Sequence, residues 1–105
     1  MENKLDPEFK AKWVKALRSG EYAQGKCMLF NPENNTFCCI GVAGSLRGLS
    51  KEQMTDKTTT EDSIYDECLP GISKSVMRRL TGMNDGGSSA GKPFTEIADY
   101  IEANL

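Results

Sequence analysis

The spacing of apolar residues changes along this chain, and this change limits the possible folds more than any other feature. Residues 6–19 carry one apolar stripe at helical spacing, formed by Phe9, Trp13, Ala16 and Leu17. Between 26 and 40, two short apolar runs flank residues 31–35, whose Asn and Pro content is typical of a hairpin loop. Helical spacing returns over 39–47 and again near the C-terminus. The pattern therefore predicts an α+β fold.

The first helix carries end signals on both sides. Asp6 is a residue type that caps helices, and Pro7 fits the first turn, where its missing N–H costs nothing. Gly20 can adopt the left-handed conformation that commonly closes a helix. We therefore predict an N-terminal helix over about residues 6–19.

Two or three further helices are predicted after the hairpin. One covers about 39–47 and ends at Gly48, and the next covers about 73–80 and ends at Gly82. The last opens at Pro93 and carries an apolar stripe formed by Phe94, Ile97, Ala98, Ile101 and Leu105. The expected architecture is an N-terminal helix, a β-hairpin and these helices packed on a minimal sheet.

Two glycines inside the helix at about 39–47 need an explanation, because glycine lowers helix stability by roughly 1 kcal/mol relative to alanine. Gly41 and Gly44 favour a close approach of another backbone element to this helix. The alternative interpretation is that both glycines line a ligand pocket.

The length of 105 residues allows one hydrophobic core, so residues 1–105 are predicted to form a single domain. The polar, acidic stretch at about 50–68 is predicted to be a mobile loop, and the Gly- and Ser-rich stretch at about 84–92 a flexible turn. No apolar run is long enough to span a membrane, and the charged start does not resemble a signal peptide. We therefore expect a cytoplasmic protein that does not bind membranes.

Charge and residue types exclude several classes of function. Thirteen basic and fifteen acidic residues give a net charge of −2, which disfavours a general nucleic-acid coat or a membrane-surface protein. The chain has no histidine, so histidine-based acid–base systems and nucleophile triads cannot form within it. No enzymatic activity and no cofactor are therefore predicted.

Two motifs that could bind a metal or a phosphate depart from what such sites need. Four cysteines are present, but Cys38 and Cys39 are adjacent instead of being separated by a short turn. Reduced thiols packed as small apolar residues are expected in place of a zinc site. Residues 86–92 match seven positions of a phosphate-binding loop, but Pro93 replaces the hydroxyl that would hold magnesium. A flexible turn is the preferred interpretation.

Candidate binding residues fall into two groups. The first is a basic face of the N-terminal helix, which is either solvated or contacts an acidic partner; it consists of Lys10, Lys12, Lys15 and Arg18. The second group offers polar, aromatic and cationic groups to a small nucleotide-type ligand; it consists of Tyr22, Gln24, Arg78, Arg79 and Lys92.

Four segments occur together in this chain: LRSGxYxQG at 17–25, FCCIGV at 37–42, MNDG at 83–86 and FxEIADYIE at 94–102. In combination they resemble a family of small proteins carried by tailed bacteriophages and prophages, from about residue 7 to the C-terminus. The resemblance implies an accessory protein that acts in the cytoplasm of the infected bacterial host. It carries over no catalytic residue.

Three functions are compatible with these observations. The leading hypothesis is a non-enzymatic phage accessory protein that binds and modulates a host protein, in host takeover or against host defence. The first alternative is a small-ligand binder that sequesters a nucleotide-type signal. The second is nucleic-acid binding through the basic first helix and Trp13, which the balance of charge disfavours. Homo-oligomerisation is compatible with a domain of this size.

Overall fold

Residues 5–25, 28–55, 63–85 and 92–105 are described by the computed structural model of the protein. Within these ranges the chain forms six helices and one two-stranded antiparallel sheet. In chain order they are α1 (Pro7–Ser19), β1 (Phe30–Asn31), β2 (Thr36–Phe37), α2 (Cys39–Leu46), α3 (Lys51–Met54), α4 (Ser63–Cys68), α5 (Lys74–Asp85) and α6 (Phe94–Asn104). The predicted α+β class is confirmed, and the short helices α3 and α4 add to those expected.

The first helix, α1, begins and ends as predicted. The Asp6 carboxylate accepts a hydrogen bond from the Phe9 amide at 3.1 Å, and Gly20 closes the helix with a φ of +80°. Trp13 is fully buried, so it belongs to the core and offers no stacking surface. Its indole N–H donates to the Cys39 carbonyl at 2.9 Å, which joins α1 directly to α2.

The predicted hairpin is present, but its strands are short. They pair antiparallel over two residues each, in the register Phe30 with Phe37 and Asn31 with Thr36. The chain leaves β2 at Cys38, because this residue caps α2 and its Sγ accepts a hydrogen bond from the Gly41 amide at 3.4 Å. Residues 26 and 27 of the predicted hairpin lie outside the described residues.

The second helix, α2, packs against α1, α4 and α5. An added Cβ at Gly41 would overlap the carbonyl group of Leu29. An added Cβ at Gly44 would lie 2.7 Å from the Cys68 Sγ and 2.8 Å from the Met54 Sδ. The predicted close approach of another backbone segment is therefore found at Gly41, whereas Gly44 leaves room for the side chains of Cys68 and Met54. Because protein atoms fill the space in front of both glycines, they do not line a ligand pocket.

The stretch at about 50–68, predicted to be a mobile loop, contains two short helices. A capping box between Ser50 and Gln53 starts α3, and Met54 at the end of this helix is fully buried. In α4, the buried side chains include Ile64, Tyr65 and Cys68. These buried side chains lie between polar residues in the sequence, and they hold both ends of the stretch against the core. Residues 56–62 lie outside the described residues.

The fifth helix, α5, continues past Gly82 to Asp85, so the prediction that Gly82 ends it is wrong. The reason is that buried positions recur at helical spacing beyond the glycine, at Met77, Leu80 and Asn84. Residues 84 and 85, the first two of the turn predicted at about 84–92, are therefore part of α5. Residues 86–91 of that turn lie outside the described part of the chain.

The last helix, α6, packs along α1 and buries its apolar stripe as predicted. The buried residues of this stripe are Phe94, Ile97, Ala98, Ile101 and Leu105. The amide of Leu5 donates to the carbonyl of Leu105 at 3.4 Å, so the start of α1 and the end of α6 lie together. No helix in the described ranges is both long enough and apolar enough to cross a membrane.

Candidate functional site

A groove runs along the outer surface of α1, between this helix and the end of α6. We call it the α1 groove; it is open to solvent and has a volume of about 670 Å³. It is lined by Pro7, Lys10, Ala11, Val14, Lys15, Arg18, Ser19 and Glu102. Glu102 belongs to α6, and the other lining residues share one face of α1 because they recur at three- and four-residue spacings.

The α1 groove has an apolar centre with a lysine on each side. At 3.6 residues per turn, Pro7, Ala11 and Val14 point in directions that lie between those of Lys10 and Lys15. Val14 is largely buried and Ala11 is exposed. The helical period thus places the two ammonium groups along opposite edges of an apolar strip.

At one end of the α1 groove, the positive charge of Arg18 is neutralised by carboxylates of α6. The Arg18 guanidinium donates to the Asp99 carboxylate at 2.5 Å and to the Glu102 carboxylate at 3.0 Å. These hydrogen bonds raise the pKa of Arg18 above its ordinary value. The i, i+3 spacing of Asp99 and Glu102 places them on one face of α6, but nothing local indicates that this face meets Arg18. The sequence analysis missed both carboxylates for this reason.

The remaining cations of α1 are uncompensated. Lys10, Lys12 and Lys15 have no carboxylate within ion-pair distance among the described residues. Lys12 and Lys15 are exposed, and Lys10 is half-buried. Of the four residues of the predicted basic face, Arg18 is therefore paired within the molecule, and Lys10 and Lys12 point about 160° apart around α1, so they flank different surfaces.

A smaller groove, of about 220 Å³, lies on the α2 side of α1. It is lined by Lys12, Lys15, Ala16, Ser19, Glu21 and Leu46. Lys15 lines both grooves, whereas Lys12 lines only the smaller one and Lys10 only the α1 groove. A substitution at Lys10 therefore changes only the α1 groove, and a substitution at Lys12 changes only the smaller groove.

Gln24, predicted to contact a ligand, is used inside the molecule. Its side-chain amide donates to the Asn84 Oδ1 at 3.0 Å and to the Lys92 carbonyl at 2.8 Å. Its Oε1 accepts a hydrogen bond from the Phe94 amide at 3.0 Å. Both ends of the side chain are thus committed to holding the start of α6, which is a structural role.

Asn84, the partner of Gln24, is fully buried and was not predicted as a special residue. Its Oδ1 also accepts from the Cys39 amide at 3.2 Å, and its amide nitrogen donates to the Gly25 carbonyl at 2.7 Å. We call these contacts the Gln24–Asn84 node. It joins the segment after α1, the start of α2, the end of α5 and the start of α6. A polar residue at a buried helical position is the signal that could have identified it.

The other candidates for a small-ligand site line neither of the two grooves. Tyr22 packs edge-on against Phe37, with ring centroids 5.3 Å apart. The exposed Lys92 ammonium lies 3.8 Å from the Glu96 carboxylate. The two remaining candidates, Arg78 and Arg79, are exposed on α5 and line neither groove.

A family model described as a domain of unknown function, DUF8296, matches residues 5–78. The chain belongs to this family. Comparison with curated proteins and with solved structures finds no significant match.

The DUF8296 match contains all of α1 and therefore the apolar strip and the three lysines of the basic face. It ends within α5, so Asn84 and the two carboxylates that compensate Arg18 lie beyond it. The α1 groove thus combines residues of the DUF8296 region with the Glu102 side chain contributed by α6.

The described cysteines of this DUF8296 member are not placed to act as nucleophiles. Cys38, Cys39 and Cys68 are all buried. Burial raises the pKa of the Cys68 thiol to about 12, and the nearby Cys38 and Glu67 add to the increase. The thiol therefore stays protonated and unreactive near neutral pH. No cluster of metal-ligating side chains is present in the described ranges.

Proposed function

We propose that this chain is a bacteriophage or prophage accessory protein that binds a host protein and modulates it without catalysing a reaction. The observation that carries the proposal is the α1 groove. Its apolar strip, in which Pro7 and Ala11 are exposed, lies between Lys10 and Lys15, whose charges are not balanced within the described chain. Exposed apolar surface with an uncompensated charged rim is what a protein-binding surface offers.

The sequence and the buried thiols support binding over turnover. The chain has no histidine, and the described cysteines lie in the core. The resemblance of four sequence segments to small phage proteins supplies the setting, which is the cytoplasm of the infected bacterial host. A protein of this kind acts by occupying a surface of its target.

The two alternative functions receive less support. Of the residues predicted to contact a nucleotide, Gln24 is hydrogen-bonded within the molecule, and the two glycines of α2 face protein atoms. Base stacking on α1 would need an exposed aromatic side chain near the lysines, and Trp13, the residue predicted for it, is fully buried.

The proposal is tested by capturing host proteins on the tagged chain and measuring the affinity of each purified candidate by calorimetry. We expect one host protein to bind in a defined stoichiometry and to change its activity when saturated. Trace amounts of the chain that convert a substrate over many cycles would contradict the proposal. So would the absence of any stoichiometric protein partner.

A further inference from the structure

We infer that the α1 groove binds an acidic, amphipathic segment of the partner protein, with apolar side chains on the strip and carboxylates at the lysines. This inference rests on the proposed function and specifies the chemistry of the partner. Three features of the groove lead to it: the shape and polarity of its floor, the distribution of its charge, and the hydrogen bonds that Arg18 already makes to Asp99 and Glu102.

The floor of the α1 groove suits apolar side chains arranged in a row. Pro7, Ala11 and Val14 follow one another along the helix, and about 670 Å³ of open space lies over them. The methylene chains of Lys10 and Lys15 extend this apolar surface while their ammonium groups stay in water. An amphipathic helix that lays its apolar face into a groove uses this kind of surface.

The charge of the groove favours acidic residues in the bound segment and determines where along the groove they lie. Lys10 and Lys15 attract carboxylates, whereas Glu102 at the other end repels them. Arg18 does not add to the attraction, because Asp99 and Glu102 already neutralise it. The acidic residues of the bound segment should therefore lie opposite Lys10 and Lys15, and the end near Glu102 should meet uncharged residues.

The same arrangement disfavours a compact polyanion such as a phosphate ester. A phosphate is best held by a rigid, bidentate guanidinium fork. The fork that lines this groove, Arg18, is bonded to two carboxylates. Lysines at opposite edges of an apolar strip suit separate carboxylates along a peptide better than a single cluster of negative charge.

The test uses a short fluorescent peptide of leucine and glutamate, patterned so that its leucines form one helical face. Its fluorescence anisotropy is titrated with the full chain. Two matched peptides, with lysine replacing glutamate or with serine replacing leucine, serve as probes of charge and of apolar contact. We expect the acidic, leucine-containing peptide to bind at least about tenfold more tightly than either of the other two.

The chain offers matched variants for the same titration. Lys10→Glu should weaken binding of the acidic peptide by about tenfold or more, whereas Lys12→Glu should change it by less than about threefold. Both variants make the same charge change on the same helix, but only Lys10 lines the α1 groove. Ala11→Gln should likewise weaken binding, and Ala103→Gln, an exposed position of α6 outside the groove, should not.

Several results would overturn the inference. Equal binding of the serine peptide would show that apolar contact plays no part, and equal losses for the Lys10 and Lys12 variants would show that the groove does not matter. Tighter binding of inorganic phosphate or single-stranded RNA than of the peptide would assign the surface to phosphates. A dimer that Lys10→Glu dissociates, measured by sedimentation, would make a second copy the occupant.

The failure of the inference is distinguishable from the failure of the proposed function. If a purified host protein binds stoichiometrically and Lys10→Glu leaves its affinity unchanged, the host-binding function stands and the inference about the groove is wrong. If the patterned peptide binds as expected but no host protein does, the groove chemistry is supported and the proposed function is contradicted. Circular dichroism spectra and thermal unfolding establish that each variant is folded.

Discussion

The hydrogen atom that serves as the side chain of Gly41 determines how α2 meets the segment before β1. We predict that Gly41→Ala lowers the free energy of unfolding by about 2 kcal/mol, because the new methyl group would overlap the Leu29 carbonyl and force the backbone apart. Gly82→Ala is the matched control: apart from its chain neighbours and the nearby backbone of α5, no atom of the described residues lies within 4 Å of the added group, and alanine favours α5 by about 0.5–1 kcal/mol. Urea unfolding should thus show opposite signs for the same substitution. Equal effects at both sites would contradict the packing described for α2.

The buried thiol of Cys68 should make the protein less stable in alkali. Burial raises its pKa from 9.0 to about 12, so the unfolded chain loses this proton at a lower pH than the folded chain does. The contribution is fully present below about pH 9 and is lost progressively as the pH rises toward 12. Over that range the free energy of unfolding should fall by up to about 1.4 kcal/mol per pH unit.

Comparison with Cys68→Ala isolates this effect from the other groups that titrate in alkali. The variant lacks the thiol, so its free energy of unfolding should decline less steeply with pH, although it is lower overall because a buried side chain has been shortened. Urea unfolding of both proteins across the alkaline range provides the comparison. Identical slopes for the two proteins would show that Cys68 does not titrate differently in the folded state.

At the level of single residues, sequence reasoning succeeded where a role follows from local chemistry. Asp6 and Gly20 are recognisable as helix ends, and Gly41 as a close-packing position, from residue type and spacing alone. The hydrogen bond between Gln24 and Asn84 could not be predicted, because the two residues lie 60 positions apart in the chain. A contact at that separation leaves no periodic signal in the sequence.

At the level of secondary-structure elements, the hydrogen bonds of the Gln24–Asn84 node connect the segment after α1 with α2, α5 and the start of α6. We predict that Asn84→Ala lowers the free energy of unfolding by about 2–4 kcal/mol, because the buried Cys39 amide and Gly25 carbonyl lose their partner. Gln24→Ala should cost less, since this side chain is more exposed.

A double-mutant cycle tests whether the node acts as a unit. The double variant should be more stable than the sum of the single losses implies, by about 1 kcal/mol, because Gln24 and Asn84 share a hydrogen bond. Chemical denaturation of the four proteins measures this coupling. Asn104→Ala, an exposed change on α6, should shift stability by less than about 0.5 kcal/mol. Strict additivity at the node would mean that its hydrogen bonds are energetically independent.

Elements with a long apolar stripe and clear ends were predicted well, and short elements were not. α1 and α6 each bury one face over several turns, which gives a repeated signal. α3 and α4 have four and six residues, too few for a period to show. The continuation of α5 past Gly82 depends on the buried Asn84, so a rule based on the glycine alone stops the helix too early.

For the whole molecule, the feature that matters most for the core is that α1 and α6 pack against each other. α6 lies along α1, and its Ile97, Ala98 and Ile101 side chains are fully buried. The α1 groove depends on the same packing, because Glu102 lines it and Arg18 crosses from α1 to α6. Nothing in the local sequence of either helix indicates this pairing, so the acidic end of the groove could not be predicted.

We therefore predict that a chain ending at residue 78, where the DUF8296 match ends, does not fold alone. It would lose α6 and most of α5, and with them the buried side chains of Leu80, Phe94, Ile97 and Ile101. Removing one large buried apolar side chain costs about 2–5 kcal/mol, so losing several of them together is comparable to the whole stability of a small domain, roughly 5–15 kcal/mol. The fluorescence of Trp13, the single tryptophan of the chain, should report a solvent-exposed indole and no cooperative unfolding in urea.

A full-length control variant measures the contribution of the ion pairs of α6 to stability separately from that of its apolar face. Asp99→Asn combined with Glu102→Gln removes both partners of Arg18 but keeps the buried stripe. Because these pairs are exposed, their loss should cost no more than about 1 kcal/mol, and unfolding should stay cooperative with Trp13 buried. If the truncated chain instead unfolded cooperatively with a buried tryptophan, residues 5–78 would contain a complete core, and α6 would be an appendage to it.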